Sequence, residues 1–371
     1  MSISYPVSRP SITALEIQYV TDAVRSGWIS SLGSYISRFE ADFAALCGTK
    51  HAVSVCNGTA ALHLALLAMG IERGDEVIVP DLSFIATANA VLMAGATPVF
   101  CDVDPFTLCL DPRLLEGLLT GRTKAIMPVH LYGHPADMRA IVDVANRHGL
   151  LVIEDAAEAH GATIEGQPVG SFGACGTFSF YGNKNLTTGE GGMVVTDDGL
   201  LAQRCRLLRD HAMSGQRRYW HQELGYNYRM TNLQAAVGCA QLDRAEALLG
   251  GRRALFKLYQ DRLASHPGLR LNRTANWAGN SFWMVCVEID GLDEARRDAF
   301  MGLLKQRGVD TRPYFHPMSD MPYLRAADTP QAHRLSPIGL NLPTYVGLED
   351  RDVDAIVGTL VQTARELSLI A

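Results

Sequence analysis

Lysine is scarce in this chain of 371 residues: 28 of the 33 basic residues are arginine, leaving Lys50, Lys124, Lys184, Lys257 and Lys305. Lys257 and Lys305 fall in amphipathic helical patterns, and Lys50 and Lys124 stand just before apolar strand patterns, where a solvated amine is the ordinary explanation. Lys184 differs. It lies just past a strand pattern, in FSFYGNKNLTTGEGG, with aromatic residues on one side and glycines on the other. A pocket of that composition at a strand end desolvates an amine, depresses its pKa and permits Schiff-base chemistry. A surface loop would leave it an ordinary charge. The residues alone leave both readings open.

Two further runs carry chemistry-bearing groups. VIEDAAEAHGA is an apolar strand delivering Glu154, Asp155, Glu158 and His160 at its carboxyl end, the edge where open α/β sheets bind ligands. A solvated turn, a metal site and a carboxylate paired with a protonated ring nitrogen compete there. With no second histidine nearby the metal reading is weak, and none is expected. VSVCNGTAALHLAL passes from strand through Asn57-Gly58-Thr59 into a helix, whose free N–H groups and hydroxyl suit a phosphate; an ordinary N-cap is the bland alternative. His63, inside that helix, reads as a core histidine. TGEGG superficially resembles a dinucleotide-binding glycine run, but it lies between two strands with no helix directly after it, so that fingerprint is rejected. A Schiff-base lysine, an acid for a ring nitrogen and an anion site on one sheet edge are together the requirements of pyridoxal phosphate.

The elements that must position these groups are legible. Seven apolar or β-branched runs (HAVSVCNG, DEVIVP, TPVFCDV, KAIMPVH, LLVIEDA, GTFSFYG and GGMVVTDD) alternate mostly with helical patterns such as TAALHLALLAMG, SFIATANAVLMAG, PRLLEGLLT and ADMRAIVDVANRHG. That alternation predicts an α/β fold with a mostly parallel seven-stranded sheet covered on both faces. Only a loop separates the last two strands, so at least one neighbour is expected to be antiparallel. A helix is expected in DDGLLAQRCRLLRDHA, and Thr231 and Gln234 stand at capping-box spacing before a helical region over 231–265. After His266 to Gly268, a strand in SFWMVCVEID and helices in EARRDAFMGLLKQRG and DVDAIVGTLVQTAREL predict a smaller α+β domain. The division is placed at 1–249 and 250–371.

With 39 acidic against 33 basic residues the formal charge is -6, which argues against a nucleic-acid-binding protein held by phosphate contacts. MSISYPVSRP shows no charged region followed by an apolar stretch, and no apolar run approaches a membrane span, so a soluble, cytoplasmic chain with no membrane partner is expected. Eight cysteines scattered singly read as reduced packing thiols.

At these residues the chain resembles the DegT/DnrJ/StrS-type sugar-nucleotide aminotransferases. The resemblance runs from SGWISSLGSYISRFEADFA through NGTAALHLAL, EDAAEAHGA, FSFYGNKNLTTGEGG and GYNYRMTNLQAA to RPYFHPM and LNLPTYVGL. It implies the aspartate-aminotransferase-like (type I pyridoxal phosphate) fold, with Lys184 as coenzyme anchor and proton carrier. Asp155 would face the pyridine nitrogen and Phe84 would stack on the ring. Thr59, the amide of Ala60 and Ser179 would hold the phosphate, and Asn227 would reach it from the neighbouring subunit of a homodimer. Glu158 stands where many members carry glutamine or histidine beside the phenolic oxygen; a carboxylate there is expected to be protonated or turned aside. Trp28, Arg218, Tyr314 and His316 are implied substrate contacts, with Arg218 equally readable as a solvated loop charge.

WISSLGSYISRFE, the glutamate of EDAAEA and RRYW look most like the subgroup that moves an amine from glutamate to carbon 4 of GDP-4-keto-6-deoxymannose, feeding surface polysaccharides such as the O-antigen of lipopolysaccharide. A UDP- or dTDP-linked ketosugar, or a non-catalytic role as coenzyme-binding regulator or scaffold, is the alternative. Sugar 3-dehydratases of the same fold carry histidine in place of the lysine, and Lys184 argues against that class.

Overall fold

The computed structural model describes residues 3–370. All seven expected strands form one sheet: β1 (His51–Val55), β2 (Glu76–Pro80), β3 (Thr97–Cys101), β4 (Thr123–Ile126), β5 (Leu151–Asp155), β6 (Cys175–Ser179) and β7 (Gly192–Thr196), in the order β1-β7-β6-β5-β4-β2-β3. β7 runs antiparallel to β1 and β6 and the other pairs are parallel. The link between β6 and β7, residues 180–191, contains no helix to carry the chain across the sheet, and the chain turns back to run antiparallel.

Ten longer helices surround this sheet and its smaller companion: α1 (Ala14–Ser26), α2 (Ser34–Cys47), α3 (Gly58–Ala68), α4 (Ala86–Met93), α5 (Met138–His148), α6 (Gly199–Arg209), α7 (Asn232–Asp243), α8 (Ala245–Leu263), α9 (Glu294–Gln306) and α10 (Asp350–Glu366). The sequence reading placed no element before residue 51, yet the signals for α1 were present. Thr13 and Glu16 form a capping box, and Gly27 closes the helix in the left-handed region. PRLLEGLLT yields only a helical turn at Leu115–Leu118, too short a run to hold a full helix. The helical region expected over 231–265 begins at the Thr231–Gln234 capping box but breaks at Arg244 (φ −111°, ψ 8°). The Arg244 guanidinium pairs there with buried Glu16 and with Ser11.

A second, antiparallel sheet of β8 (Arg270–Leu271), β9 (Val285–Glu288), β10 (Arg312–Pro313) and β11 (Gly339–Leu342) has the order β8-β9-β11-β10. The expected boundary at 249/250 falls inside α8. The core also runs across it, since Ile78 and Ile126 of the large sheet share one buried cluster with Val285, Leu340 and Ile356. Two strand-end carboxylates fasten the C-terminal part over the sheet edge. Asp81 accepts from Ser319 N and Ser319 Oγ, both at 2.7 Å, and from Thr329 Oγ1, while Asp102 accepts from Gln331 N (2.8 Å) and Ala332 N (2.9 Å). Among the described residues no helix is long and apolar enough to cross a membrane. All eight cysteines are unpaired and all but Cys56 are buried.

Candidate active site

The acid run at the end of β5 sends its four groups to four destinations. Adjacent strand residues point to opposite faces, so Glu154 turns away from Asp155. Glu154 Oε1 accepts the N–H groups of Phe172 (2.7 Å) and Gly173 (2.8 Å), and Oε2 accepts Gly170 N–H (2.7 Å) and faces His130 Nε2 at 3.1 Å. His130 Nδ1 accepts from Ala136 N–H, which assigns the ring proton to Nε2 and makes it a donor to Glu154. Glu154 is thus a folding anchor. Asp155 is buried, with Oδ2 accepting from Thr87 Oγ1 (2.7 Å) and Oδ1 from Ala157 N–H (3.2 Å). Burial pushes its pKa up, opposed by those two donors and by Lys184. His160 enters a cage of Phe43, Phe178 and Phe180, and burial lowers its pKa to about 3. No metal-holding group of three acidic, histidine or cysteine residues occurs among the described residues.

Glu158 goes to the lysine. Lys184 Nζ lies 3.6 Å from Glu158 Oε1, with its side chain only 11% exposed. The N–H of Tyr132 donates to Glu158 Oε2 at 2.9 Å. Tyr132 adopts φ 53°, a left-handed conformation that costs a non-glycine residue about 1–3 kcal/mol. That strain aims its N–H inward at the carboxylate. Burial pushes Glu158 up to about 7 even though Lys184 and the Tyr132 N–H pull it down. Burial likewise lowers the Lys184 pKa, against the pull of Glu158 and Asp155. Trp283, whose ring centroid lies 3.7 Å from Lys184 Nζ, and Tyr132 were not among the residues singled out from the sequence: Trp283 stood only as one residue of a strand run, Tyr132 fell in none of the runs, and their neighbours come from distant segments.

The anion cradle forms where β1 meets α3. Asn57 caps α3, its Oδ1 accepting the N–H of Ala60 at 2.8 Å. The Ala60 amide, expected to hold phosphate, is therefore committed to the cap, and the N-cap reading stands there. Thr59 is half-buried beside it, and Ser179 packs so closely that a Cβ on Gly58 would lie 2.7 Å from the Ser179 Cβ. A Cβ on Gly192 would meet Asn57 O at 2.3 Å. Both glycines are required by close approach.

The remaining expected residues are more scattered. Phe84 is 55% exposed, beside Phe315 at 5.8 Å. Phe315 stacks in turn on Tyr132 at 5.4 Å. Trp28 is exposed at the start of a loop pinned by Asn232, whose Nδ2 donates to Trp28 O (2.7 Å) and whose N–H donates to Ser30 O (2.6 Å). Asn232 was missed because, as the first residue of α7, it reads as a helix start. Tyr314 was expected at the substrate but is 1% exposed, with its ring against Gly339 and 5.0 Å from that of Tyr132. Just past β10, the Tyr314 N–H donates to Gly339 O at 3.0 Å and its ring packs into the core, while the next residue, Phe315, is half-buried beside Phe84. His316 is exposed and faces Glu294 of α9 at 3.6 Å. Arg218 is exposed with its guanidinium over Tyr219, and Asn227 is exposed on a segment bridged to Asp210.

These groups fit pyridoxal phosphate. A largely buried amine, a buried carboxylate at the neighbouring strand end, an exposed aromatic face and a glycine-lined hydroxyl pair at a helix start match its aldehyde, ring nitrogen, ring and phosphate. With the mixed seven-stranded sheet they define a coenzyme-dependent transaminase of the aspartate-aminotransferase type. The profile of the DegT/DnrJ/EryC1/StrS aminotransferase family matches residues 10–361, and the chain belongs to that family. It is 50% identical over 361 residues to the GDP-perosamine synthase of Caulobacter vibrioides, covering 96% of this chain and 97% of the relative. It is 40% identical to the GDP-perosamine synthase of Vibrio cholerae, covering 95% and 96%. A putative sugar aminotransferase of Streptococcus pneumoniae, solved in its PLP form, superposes with a TM-score of 0.93 at 28% identity, covering 98% of this chain and 99% of that one. The coenzyme is pyridoxal 5′-phosphate.

Proposed function

We propose that this transaminase moves an amino group from glutamate to carbon 4 of GDP-4-keto-6-deoxymannose, giving GDP-perosamine. The observation that carries the transaminase reading is the Lys184 amine, largely buried against Glu158 at the carboxyl edge of the sheet. Full-length likeness to two GDP-perosamine synthases supports the substrate. Bound pyridoxal phosphate supplies an aldehyde for amines and a ring that absorbs electrons as a carbanion develops. Lys184 Nζ takes the proton from the donor's α-carbon and returns it within the same bound pair, which a depressed amine pKa assists. Asp155, oriented by Thr87 and Ala157, keeps a proton on the ring nitrogen by its charge. Thr59 and Ser179 hold the phosphate, and Phe84 covers the ring and excludes water. Glu158, whose pKa burial raises to about 7, would stand beside the phenolic oxygen, where a raised pKa lessens the repulsion between the two groups. Trp28, Arg218 and His316 remain proposed sugar-nucleotide contacts. Residues 1–249 would carry the coenzyme and 250–371 would form the connecting helix and smaller domain, in the cytoplasm.

The decisive experiment presents GDP-, UDP- and dTDP-linked 4-ketosugars with glutamate and follows aminated sugar and 2-oxoglutarate. The GDP compound alone is expected to react with both products in equal amounts. Amination of only a UDP or dTDP compound would overturn the substrate assignment while leaving the transaminase in place.

We also propose a homodimer with shared sites, in which Asn227 reaches the phosphate bound by its partner. Exposed Ile17, Val24 and Leu32 at the N-terminus and Tyr219, Trp220 and Leu224 before Asn227 support it, as apolar surface that a second copy would cover. Mixing inactive Lys184→Ala chains with weakened Asn227→Ala chains is expected to restore about a quarter of wild-type activity, because half of the dimers are hybrids and each hybrid holds one complete site. No recovery after verified exchange would place Asn227 in its own chain's site.

A further inference from the structure

The free amine of Lys184 does not hang in open space. The ring of Trp283 lies against it, 3.7 Å from Nζ to the ring centroid, with Glu158 Oε1 at 3.6 Å. The same indole donates its Nε1–H to the carbonyl of Asn183 at 2.9 Å, gripping the residue just before the lysine. Trp283 is firmly seated. It is 4% exposed, its carbonyl accepts from the buried guanidinium of Arg252 at 3.1 Å, and its ring stacks on Tyr132 at 6.2 Å and 18°.

We infer that Trp283 is a positioning residue, holding the Lys184 amine against Glu158 whenever that amine is not bonded to the coenzyme. The inference deepens the proposed function and rests on its reading of Lys184 as the reacting amine. The physical case has two parts. An ammonium group over an indole face is attracted by the ring quadrupole, more strongly where water is excluded. The indole N–H meanwhile fixes the backbone from which the amine hangs, so the long side chain loses less freedom when it docks. Charged and titratable groups around the amine are few: Glu158 in contact, Asp155 further off, and His160, neutral within its phenylalanine cage. The ring therefore supplies one of a small number of contacts that favour the ammonium form at this spot. A lysine released when the donor's amine takes its place would be parked here, still within the site, rather than swinging into solvent.

The test needs no coenzyme and no turnover. The full chain, freed of pyridoxal phosphate, is acetylated over a range of pH, and modification of Lys184 is measured by peptide mass mapping against the four other lysines as internal standards. Trp283→Leu keeps apolar bulk but removes the ring face. It is expected to raise relative acetylation of Lys184 about tenfold near neutral pH and to move the titration midpoint down by about one unit. Trp283→Phe keeps a face but loses the N–H, and should stay within about threefold of the parent. An unchanged profile in folded Trp283→Leu overturns the inference, as does a Phe variant that shifts as far as Leu. If Trp283→Leu does not fold, tryptophan emission of the parent decides. Emission that titrates with the Lys184 midpoint and stops titrating in Lys184→Met supports the contact, and emission that is the same in both overturns it. Failure of Lys184 as the coenzyme anchor would show separately, as absence of a borohydride-trapped adduct.

Discussion

Replacing Lys184 with alanine is expected to lower turnover by at least about 10⁴-fold, because one amine serves as both nucleophilic anchor and proton carrier. Each of those roles by itself is worth orders of magnitude. Arginine should not rescue it, since a guanidinium keeps the charge beside Glu158 but neither condenses with an aldehyde nor gives up its proton. The fold should survive, since the lysine contributes only one largely buried ion pair and one contact to Trp283, a core residue that is also held by Arg252 and by stacking on Tyr132. The measurement is steady-state amine transfer together with borohydride reduction and peptide mapping. Wild-type protein should carry the reduced coenzyme on the peptide containing Lys184, and the alanine variant should carry none. Turnover near the wild-type rate, or a label on another lysine, would remove the basis of the proposed mechanism.

Asp155→Asn is expected to cost about 10³-fold in kcat with the coenzyme still bound. Loss of a single preorganised electrostatic partner of the developing charge is commonly worth about 10²–10³-fold, and here the carboxylate is also what keeps the ring nitrogen protonated. The amide is nearly isosteric, and its oxygen can still accept from Thr87 Oγ1 or Ala157 N–H, so position changes little while charge is lost. Binding should persist because Thr59 and Ser179 hold the phosphate independently, which coenzyme absorbance after gel filtration would report. A variant turning over within about threefold of wild type would show that the negative charge at 155 has no part in the reaction.

The two residues differ in how they were legible. Lys184 stood out because lysine is rare and this one alone followed a strand in an aromatic and glycine-rich loop. Asp155 stood out with three neighbours of similar type, and local pattern could not separate them. Their fates diverge in the structure, with Glu154 spent on the amides of Gly170, Phe172 and Gly173, His160 in an aromatic cage, and Glu158 beside the lysine. Asp81 and Asp102 teach the same lesson in reverse. Both end strands at the carboxyl edge, where chemistry is expected, yet both are used to fasten residues 319–332.

By itself the sequence determined the local and the periodic: seven strand runs, the helices between them, the capping box at Thr231, and a lysine, an acid and a helix start delivered to one edge. These follow from spacing along the chain, because burial patterns with periods of two and 3.6 residues are written in consecutive positions. Only the tertiary structure decided which distant side chains meet at that edge. Trp283 under the amine, Tyr132 feeding Glu158, Tyr314 turned into the core, the Ala60 amide taken by Asn57, and Asn232 pinning the Trp28 loop all depend on close packing between segments far apart in sequence. Such contacts are set by shape and by the need to satisfy buried polar groups, and neither is encoded in any one stretch of residues.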